Sequence, residues 1–424
     1  MEVLSDFMFS KKRYLILVVF FSFVLESCKH SNTDLEETSG YPIQQLTDSI
    51  QFQFQDLINA NFKNSDSGMA ALAVFLTKDN SVFVDTTYFF SNHNNPLPDG
   101  ETIFQMGSVT KTFTAALISR QVNLGKMNLN DPAQNYLPNP EKFRTPILPK
   151  FIKNGKSTSI SLGNLTTMSS GLFRNVEVNP LTRTTPYLYA FDTISNLDLL
   201  YKPGSECNLY SNLGFGIAGL IVSHQAFPNL PNYYDYYEST VVLSLLKPMG
   251  MNNTSIYLNP TQKAKLAPPY GRNGYRSTYK NANWPMNLAA GGLYSTLNDM
   301  RKYAKNMIGE GDYLTDQVID TLLAKRGNTW TQICKVSSDA FSSYQAMAWV
   351  INEDMENSKG TPFYRYSKDG GLSGFSTYIT FSKPYIDGYQ YKAYAVLWVN
   401  KQGFPVQKNT PKVMQSLYNL VPKK

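Results

Sequence analysis

Apolar positions recur at two different periods along this chain, and the change of period divides it. Over residues 47–60, Ile50, Phe54, Leu57 and Ile58 fall at helical spacing, which predicts an amphipathic helix. The run 70–76 is apolar throughout, and 81–90 is rich in Val, Thr, Tyr and Phe, with Lys78-Asp79-Asn80 between them. That pattern predicts two strands joined by a turn. Residues 363–367, 376–381 and 391–400 are again β-branched and aromatic and are separated by Gly, Asp and Pro signals, so three more strands are expected. A closing helix over 411–420 places Val413, Met414, Leu417 and Leu420 on one face, with Pro411 at a tolerated first-turn position. These segments assemble into an α/β layer of five antiparallel strands flanked by terminal helices.

From Ser108 to about residue 300 the period is mostly helical. Helices are expected over 109–122, 213–225 and 297–308, whereas 175–198 has many Thr, Pro and Tyr residues and no period. It reads as a cleft-edge loop or an insertion. No repeat, linker or charge block interrupts the chain after residue 45. One catalytic unit over 46–424 is therefore expected, its α/β layer drawn from about 46–107 and 301–424 and its helical part from about 108–300.

The first residues follow another logic. Lys11, Lys12 and Arg13 precede an apolar run over 15–25, shorter than the roughly 20 residues that a spanning helix needs, so 1–27 reads as a signal peptide. It ends in Leu25-Glu26-Ser27-Cys28, which resembles a bacterial lipobox with Glu26 as its departure from the usual pattern. Cys28 is then the lipidation site and 28–45 a polar tether. The expected location is the bacterial cell envelope, with the chain lipid-anchored, at the outer membrane and facing the periplasm or the surface. Its expected contact with membrane is through that lipid.

Composition narrows the choice of function. With 42% hydrophobic and 17% charged residues the 424-residue chain can bury a large core. The net charge of +7 is spread among scattered lysines rather than gathered into a stripe, so nucleic acid is not an expected partner. No cofactor or metal site is expected, because His30, His93 and His224 stand apart and no cysteine cluster accompanies them. Cys207 and Cys334 are equally consistent with a disulfide and with two separate thiols. A monomer acting on a small-molecule or peptide substrate is the expected state.

The candidate chemistry begins at Gly107-Ser108-Val109-Thr110-Lys111. A helix opening at Ser108 brings Lys111 onto the same face one turn later, so its amine reaches the hydroxyl. Partial positive charge at the helix start favours an oxyanion there. Alone, such a spacing is better explained by an N-capping serine followed by a solvated lysine. Tyr210-Ser211-Asn212 before a helix and Lys368-Asp369-Gly370 on a strand change that balance, because the three elements occur in the order used by serine acyl-transfer enzymes. A Ser-His-Asp arrangement is the rival, but none of the histidines occupies a recognisable base position and no Gly-x-Ser-x-Gly occurs.

In these motifs the chain resembles the class C β-lactamase-related family of serine hydrolases, which includes penicillin-binding proteins, D-alanyl-D-alanine carboxypeptidases, esterases and amidases. Further stretches carry the likeness: Leu165 to Leu172 with its Ser-Gly-Leu turn, Pro203-Gly204, Pro248-Met249-Gly250-Met251 with Thr254, and Ala289-Ala290-Gly291-Gly292-Leu293 with Ser295 and Asp299. The resemblance implies a β-lactamase/transpeptidase-like fold and an acyl-enzyme on Ser108, with Lys111 and Tyr210 exchanging the proton. It further implies that Asn212 holds Lys111 and the substrate amide, that the amides of Ser108 and Gly371 make the oxyanion hole, and that Lys368, Gly370 and Gly371 line the substrate site.

The strand motif bears on substrate. Lys368 suits a substrate carboxylate, as in peptide C-termini and β-lactams. Asp369 stands where a hydroxyl residue is usual, and its charge would repel that carboxylate or occupy Lys368. Strand alternation places Asp369 on the face opposite Lys368, away from the substrate. Peptidoglycan peptides, β-lactam-like compounds, and generic esters or amides all stay open, as do an esterase or transacylase and an inactive envelope binding lipoprotein.

Overall fold

The computed structural model describes residues 43–62, 67–92, 95–137, 146–176, 188–205, 208–228, 234–277, 287–326, 343–356, 362–386 and 388–419. The signal segment, Cys28 and the tether, together with His30, His93, Cys207 and Cys334, lie outside them. No helix among the described residues is long and apolar enough to cross a membrane.

The chain opens with α1 (Ile43–Asn61) and a hairpin of β1 (Gly68–Lys78) and β2 (Ser81–Asn92), and it returns to the same sheet near its end. There β3 (Ser343–Gln345), β4 (Val350–Glu356), β5 (Pro362–Leu372), β6 (Phe375–Ser382) and β7 (Tyr389–Val399) complete an antiparallel sheet in the order β2-β1-β7-β6-β5-β4-β3. A short strand, Tyr385–Ile386, pairs with β7 in addition. The sheet is thus wider than the five expected strands. β4 carries Asn352, Glu353 and Glu356, residues disfavoured in strands, and its register slips between Asn352 and Met355, so alternation is broken where it would have been read.

Period-2 alternation sends the central strands to two cores. Ala70, Leu72, Val74 and Leu76 of β1 pack with Ala393, Ala395 and Leu397 of β7 against Ile50, Phe54, Leu57 and Ile58 of α1 and against α5 (Val406–Asn419). Met69, Ala71, Ala73 and Phe75 face the other way with Tyr394, Val396 and Trp398, against the helical part. On α5, Val413, Met414 and Leu417 are buried as expected, and Leu420 lies outside the described residues. That helix begins at Val406 rather than at Pro411, which sits inside it. The five residues that precede Pro411 form the first turn, so the proline follows the helix start rather than marking it.

At the heart of the helical part is α2 (Thr110–Asn123), preceded by one 3-10 turn, Gly107–Val109. Every residue of α2 from Thr110 to Ser119 is buried, so its hydroxyls need internal partners. Thr112 donates to the Val109 carbonyl (2.8 Å), Thr114 to that of Ala289 (2.7 Å) and Ser119 to that of Val318 (2.6 Å). Phe113 stacks on Tyr303 of α4 (Leu297–Met307), with centroids 4.0 Å apart, and Tyr303 and Trp349 continue the aromatic contact to Phe381 of β6. α3 (Asn212–Ala226), buried from Leu213 through Ser223, lies against α2. Within the aperiodic stretch 175–198, residues Leu188–Ile194 form a short helix.

Truncating the central ring should be costly. Phe113→Ala is expected to lower unfolding free energy by about 3–5 kcal/mol, whereas Phe52→Ala, at a site 73% exposed, should change it by less than about 0.5 kcal/mol. Guanidinium unfolding of both variants against the parent checks this, and equal losses would contradict the packing described.

Candidate active site

The turn that carries Ser108 is shaped by two close backbone approaches. Phe104–Gln105 pairs with Tyr294–Ser295, Phe104 stacks on Trp398 of β7 at 5.0 Å, and the chain then reverses through Gly107 at φ +51°. A side chain there would meet the Gly371 backbone at 2.9–3.0 Å, and a Cβ on Gly370 would come within 2.0 Å of the Met106 carbonyl oxygen. β5 therefore lies directly against the serine turn, which only glycine at both positions permits. Gly371 N and Ser108 N both lie on this seam, 2.9 and 3.2 Å from where Cβ atoms on Gly107 and Gly370 would stand. Gly371 itself is exposed and opens toward solvent.

One turn into α2, Lys111 is fully buried, and its Nζ has three acceptors: Ala290 O at 2.6 Å, Asn212 Oδ1 at 2.7 Å and Ser108 Oγ at 3.2 Å. Burial is the main influence on this amine and lowers its pKa from 10.5 to about 8. The geometry then specifies what the neutral form does. Two N–H groups stay with the two short, fixed acceptors, and the lone pair is left for the longest contact, the serine hydroxyl. Asn212 is held in turn by its own donation to Asn175 Oδ1 at 2.9 Å.

Tyr210 approaches the serine from another segment and donates its hydroxyl to Ser108 Oγ at 2.5 Å. Its loop is braced by 168–174, in which Met168 adopts φ +61°. Leu209 N–H donates to Met168 O (2.7 Å), Gly204 N–H to Ser169 O (2.9 Å), Ser211 Oγ to Phe173 O (2.8 Å) and Asn212 N–H to Arg174 O (2.8 Å). Ser211 also caps α3 by accepting from Gly214 N–H, so the capping role belongs to Ser211 and Asn212 is left for the site. Lys111 Nζ, Lys368 Nζ and the Arg174 guanidinium lie 4.9, 5.5 and 4.9 Å from the Tyr210 ring centroid. Burial raises the pKa of this phenol, but the charges of Lys111 and Lys368, together with its hydrogen bonding to Lys111 and Ser108, outweigh it and leave the net shift downward.

Lys368 is only 4% exposed, and its Nζ pairs with Asp369 Oδ1 at 3.1 Å, the aspartate side chain being 43% exposed. This agrees with the reading that Asp369 occupies Lys368 and corrects the one that strand alternation keeps the two apart. β4 pairs with β5 only as far as Ser367, so from Lys368 onward that edge of β5 has no strand neighbour among the described residues, and the two side chains meet around it. Desolvation lowers the pKa of Lys368, but Asp369 and Tyr210 outweigh it and the net shift is upward. Burial likewise raises the pKa of Asp369, and Lys368 more than reverses it.

Ser108, Lys111, Tyr210, Asn212, Lys368, Gly370 and Gly371 are thus brought into one neighbourhood from three distant segments. Among the described residues the serine hydroxyl pairs with Lys111 and Tyr210, while His224 sits in the last turn of α3. No group of three or more His, Cys, Asp or Glu among the described residues is placed to hold a metal ion. Sequence reading missed Arg174 and Asn175, which carried no motif, and the Ala290 carbonyl, which no side chain advertises.

Comparison with known proteins agrees with this architecture. The chain is 26% identical over 299 residues to the D-alanyl-D-alanine-carboxypeptidase/endopeptidase AmpH of Escherichia coli K12, covering 68% of this chain and 69% of that one. It is 25% identical over 388 residues to Beta-lactamase-like protein 4 of Dictyostelium discoideum, covering 88% of this chain but only 64% of that protein. Among solved structures, a beta-lactamase/D-alanine carboxypeptidase from Yersinia pestis superposes with a TM-score of 0.67 at 21% identity, over 89% of this chain and 99% of that one. A class C beta-lactamase gives 0.66 at 19%, over 92% and 100%. The beta-lactamase family model matches residues 53–417, and this chain belongs to that family of serine hydrolases.

Proposed function

We propose that this protein is an exported serine hydrolase that forms an acyl-enzyme on Ser108 and cleaves amide or ester bonds in small-molecule or peptide substrates. The observation that carries the reading is the contact of one hydroxyl with both a buried amine and a phenol, Ser108 Oγ lying 3.2 Å from Lys111 Nζ and 2.5 Å from the Tyr210 hydroxyl. Export and lipid attachment rest on the basic and apolar start of the chain and on Cys28.

Ser108 Oγ attacks the carbonyl carbon while its proton passes to the Lys111–Tyr210 pair. The amides of Ser108 and Gly371 donate to the oxyanion that forms. Collapse breaks the bond to the leaving group, which takes a proton back through Tyr210 and leaves an ester on Ser108. Asn212 keeps Lys111 aimed and offers its amide to the substrate. An incoming water or other nucleophile then gives up its proton along the same path and releases the acyl group. The D-alanyl-D-alanine-carboxypeptidase/endopeptidase relative makes D-alanyl-D-alanine peptides one substrate class to try, and nitrophenyl esters are another.

Labelling with a fluorophosphonate or a fluorescent penicillin, followed by mass spectrometry, is expected to place the modification on Ser108, and a modified residue elsewhere would overturn the assignment. Lys111→Ala and Tyr210→Phe should each slow acylation by about 10²–10⁴-fold.

The pH dependence follows from the lysine. Its pKa is depressed to about 8, so at pH 7 about one-tenth is the neutral base, against roughly one in three thousand for an unperturbed lysine. The acylation rate should therefore fall about tenfold per pH unit below pH 8 and level off above it, and a rate that rises on acidification would contradict this base.

Gly370→Ala should displace β5 from the serine turn and slow acylation by roughly 10²-fold. A parallel loss of unfolding free energy large enough to empty the native state would show that the loss is not one of alignment.

A further inference from the structure

We infer that Asp369 is a built-in carboxylate that occupies Lys368 and thereby sets the site for acyl substrates with no carboxylate of their own beside the scissile bond. The inference rests on the acyl-enzyme reading above and adds a substrate class to it.

Of the two buried lysines that face Tyr210, Lys111 has its N–H groups committed to Ala290, Asn212 and Ser108, and Lys368 has its charge matched by Asp369 at 3.1 Å. A substrate carboxylate arriving at β5 has two options. It can displace Asp369, which is tethered to the neighbouring residue and so has a high effective concentration. Otherwise it can bind beside Asp369 and meet like-charge repulsion at contact range, which works against it. A neutral acyl group meets neither obstacle and still finds the Ser108 and Gly371 amides at the seam. A further cation near the site among the described residues, Arg174, is exposed and stacks on the Tyr210 ring from the 168–176 segment rather than from β5. Lys368 keeps a use in this arrangement, because its ammonium still lies 5.5 Å from the Tyr210 ring and lowers the phenol's proton affinity.

The test compares the full chain with Asp369→Asn, which keeps the shape and removes the charge, and with Asp369→Thr, which supplies a hydroxyl. For each, the second-order rate of Ser108 acylation by benzylpenicillin, which bears a carboxylate, is divided by that of p-nitrophenyl acetate hydrolysis, which does not. Relief of like-charge exclusion should raise this ratio by about tenfold in both variants. A change of less than twofold in both, with Ser108 still modified by a fluorophosphonate, overturns the role of Asp369 and leaves the acyl-enzyme reading standing. Failure of the fluorophosphonate to modify Ser108 in the parent chain overturns both.

Discussion

The site depends on an amine kept from water without a carboxylate partner. Lys111 is fully buried on α2, and among the described residues it makes no ion pair. A charge there carries a desolvation penalty, which lowers the amine's pKa and brings the neutral form within reach near neutral pH. The acceptors are a main-chain carbonyl, an amide oxygen and the serine. Much of the neighbouring packing holds those acceptors still: Thr114 binds the adjoining Ala289 carbonyl, Thr110 accepts from Leu293 N–H, and Asn175 pins the Asn212 amide. The rings of Phe113, Tyr303 and Trp349 complete the wall that excludes water from this helix.

The elements readable from the sequence were those whose own residues carry their period. α1, β1, β2 and the last three strands of the sheet show it because each buries a face fixed by that period. β3 and β4 did not, since β4 takes charged and amide residues at a bulged position near the sheet edge, where pairing rather than composition holds it. The start of α5 was hidden because Thr410 donates to the Val406 carbonyl and the helix continues past Pro411. In the site, Ser108 and Lys111 were legible from a local spacing, and Tyr210 and Lys368 from motif order. Arg174, Asn175 and the Ala290 carbonyl were not, because their role exists only once 168–176 and 288–291 lie beside the serine.

Strand alternation gave a wrong answer at Asp369 for a definable reason. Adjacent side chains leave a strand on opposite faces at Cβ, and within a sheet the neighbouring strand keeps them apart. Among the described residues, that neighbour is gone from one edge of β5 beyond Ser367. A lysine with four methylenes can then reach around the open edge to the carboxylate next to it, and burial of the ammonium makes the pair worth forming. The rule concerns where side chains start, and it constrains long charged ones only while a ladder continues on both sides.

The two lysines end with opposite assignments because their surroundings differ in one group. Among the described residues Lys111 has hydrogen-bond acceptors but no ion-pair partner, and burial lowers its pKa to about 8. Lys368 is as thoroughly buried but has Asp369, and its pKa moves up. One is therefore able to exchange a proton near neutral pH and the other stays charged, a separation of roles made by environment rather than by residue type. Tyr210 lies within 5.5 Å of both. When Lys111 takes up a proton, the phenol faces two cations in place of one and is more readily ionised, so amine and phenol titrate as a coupled pair. A proton gained at one is more easily lost at the other, and that is the property a group needs in order to remove a proton from Ser108 and return it to a leaving group within the same turnover.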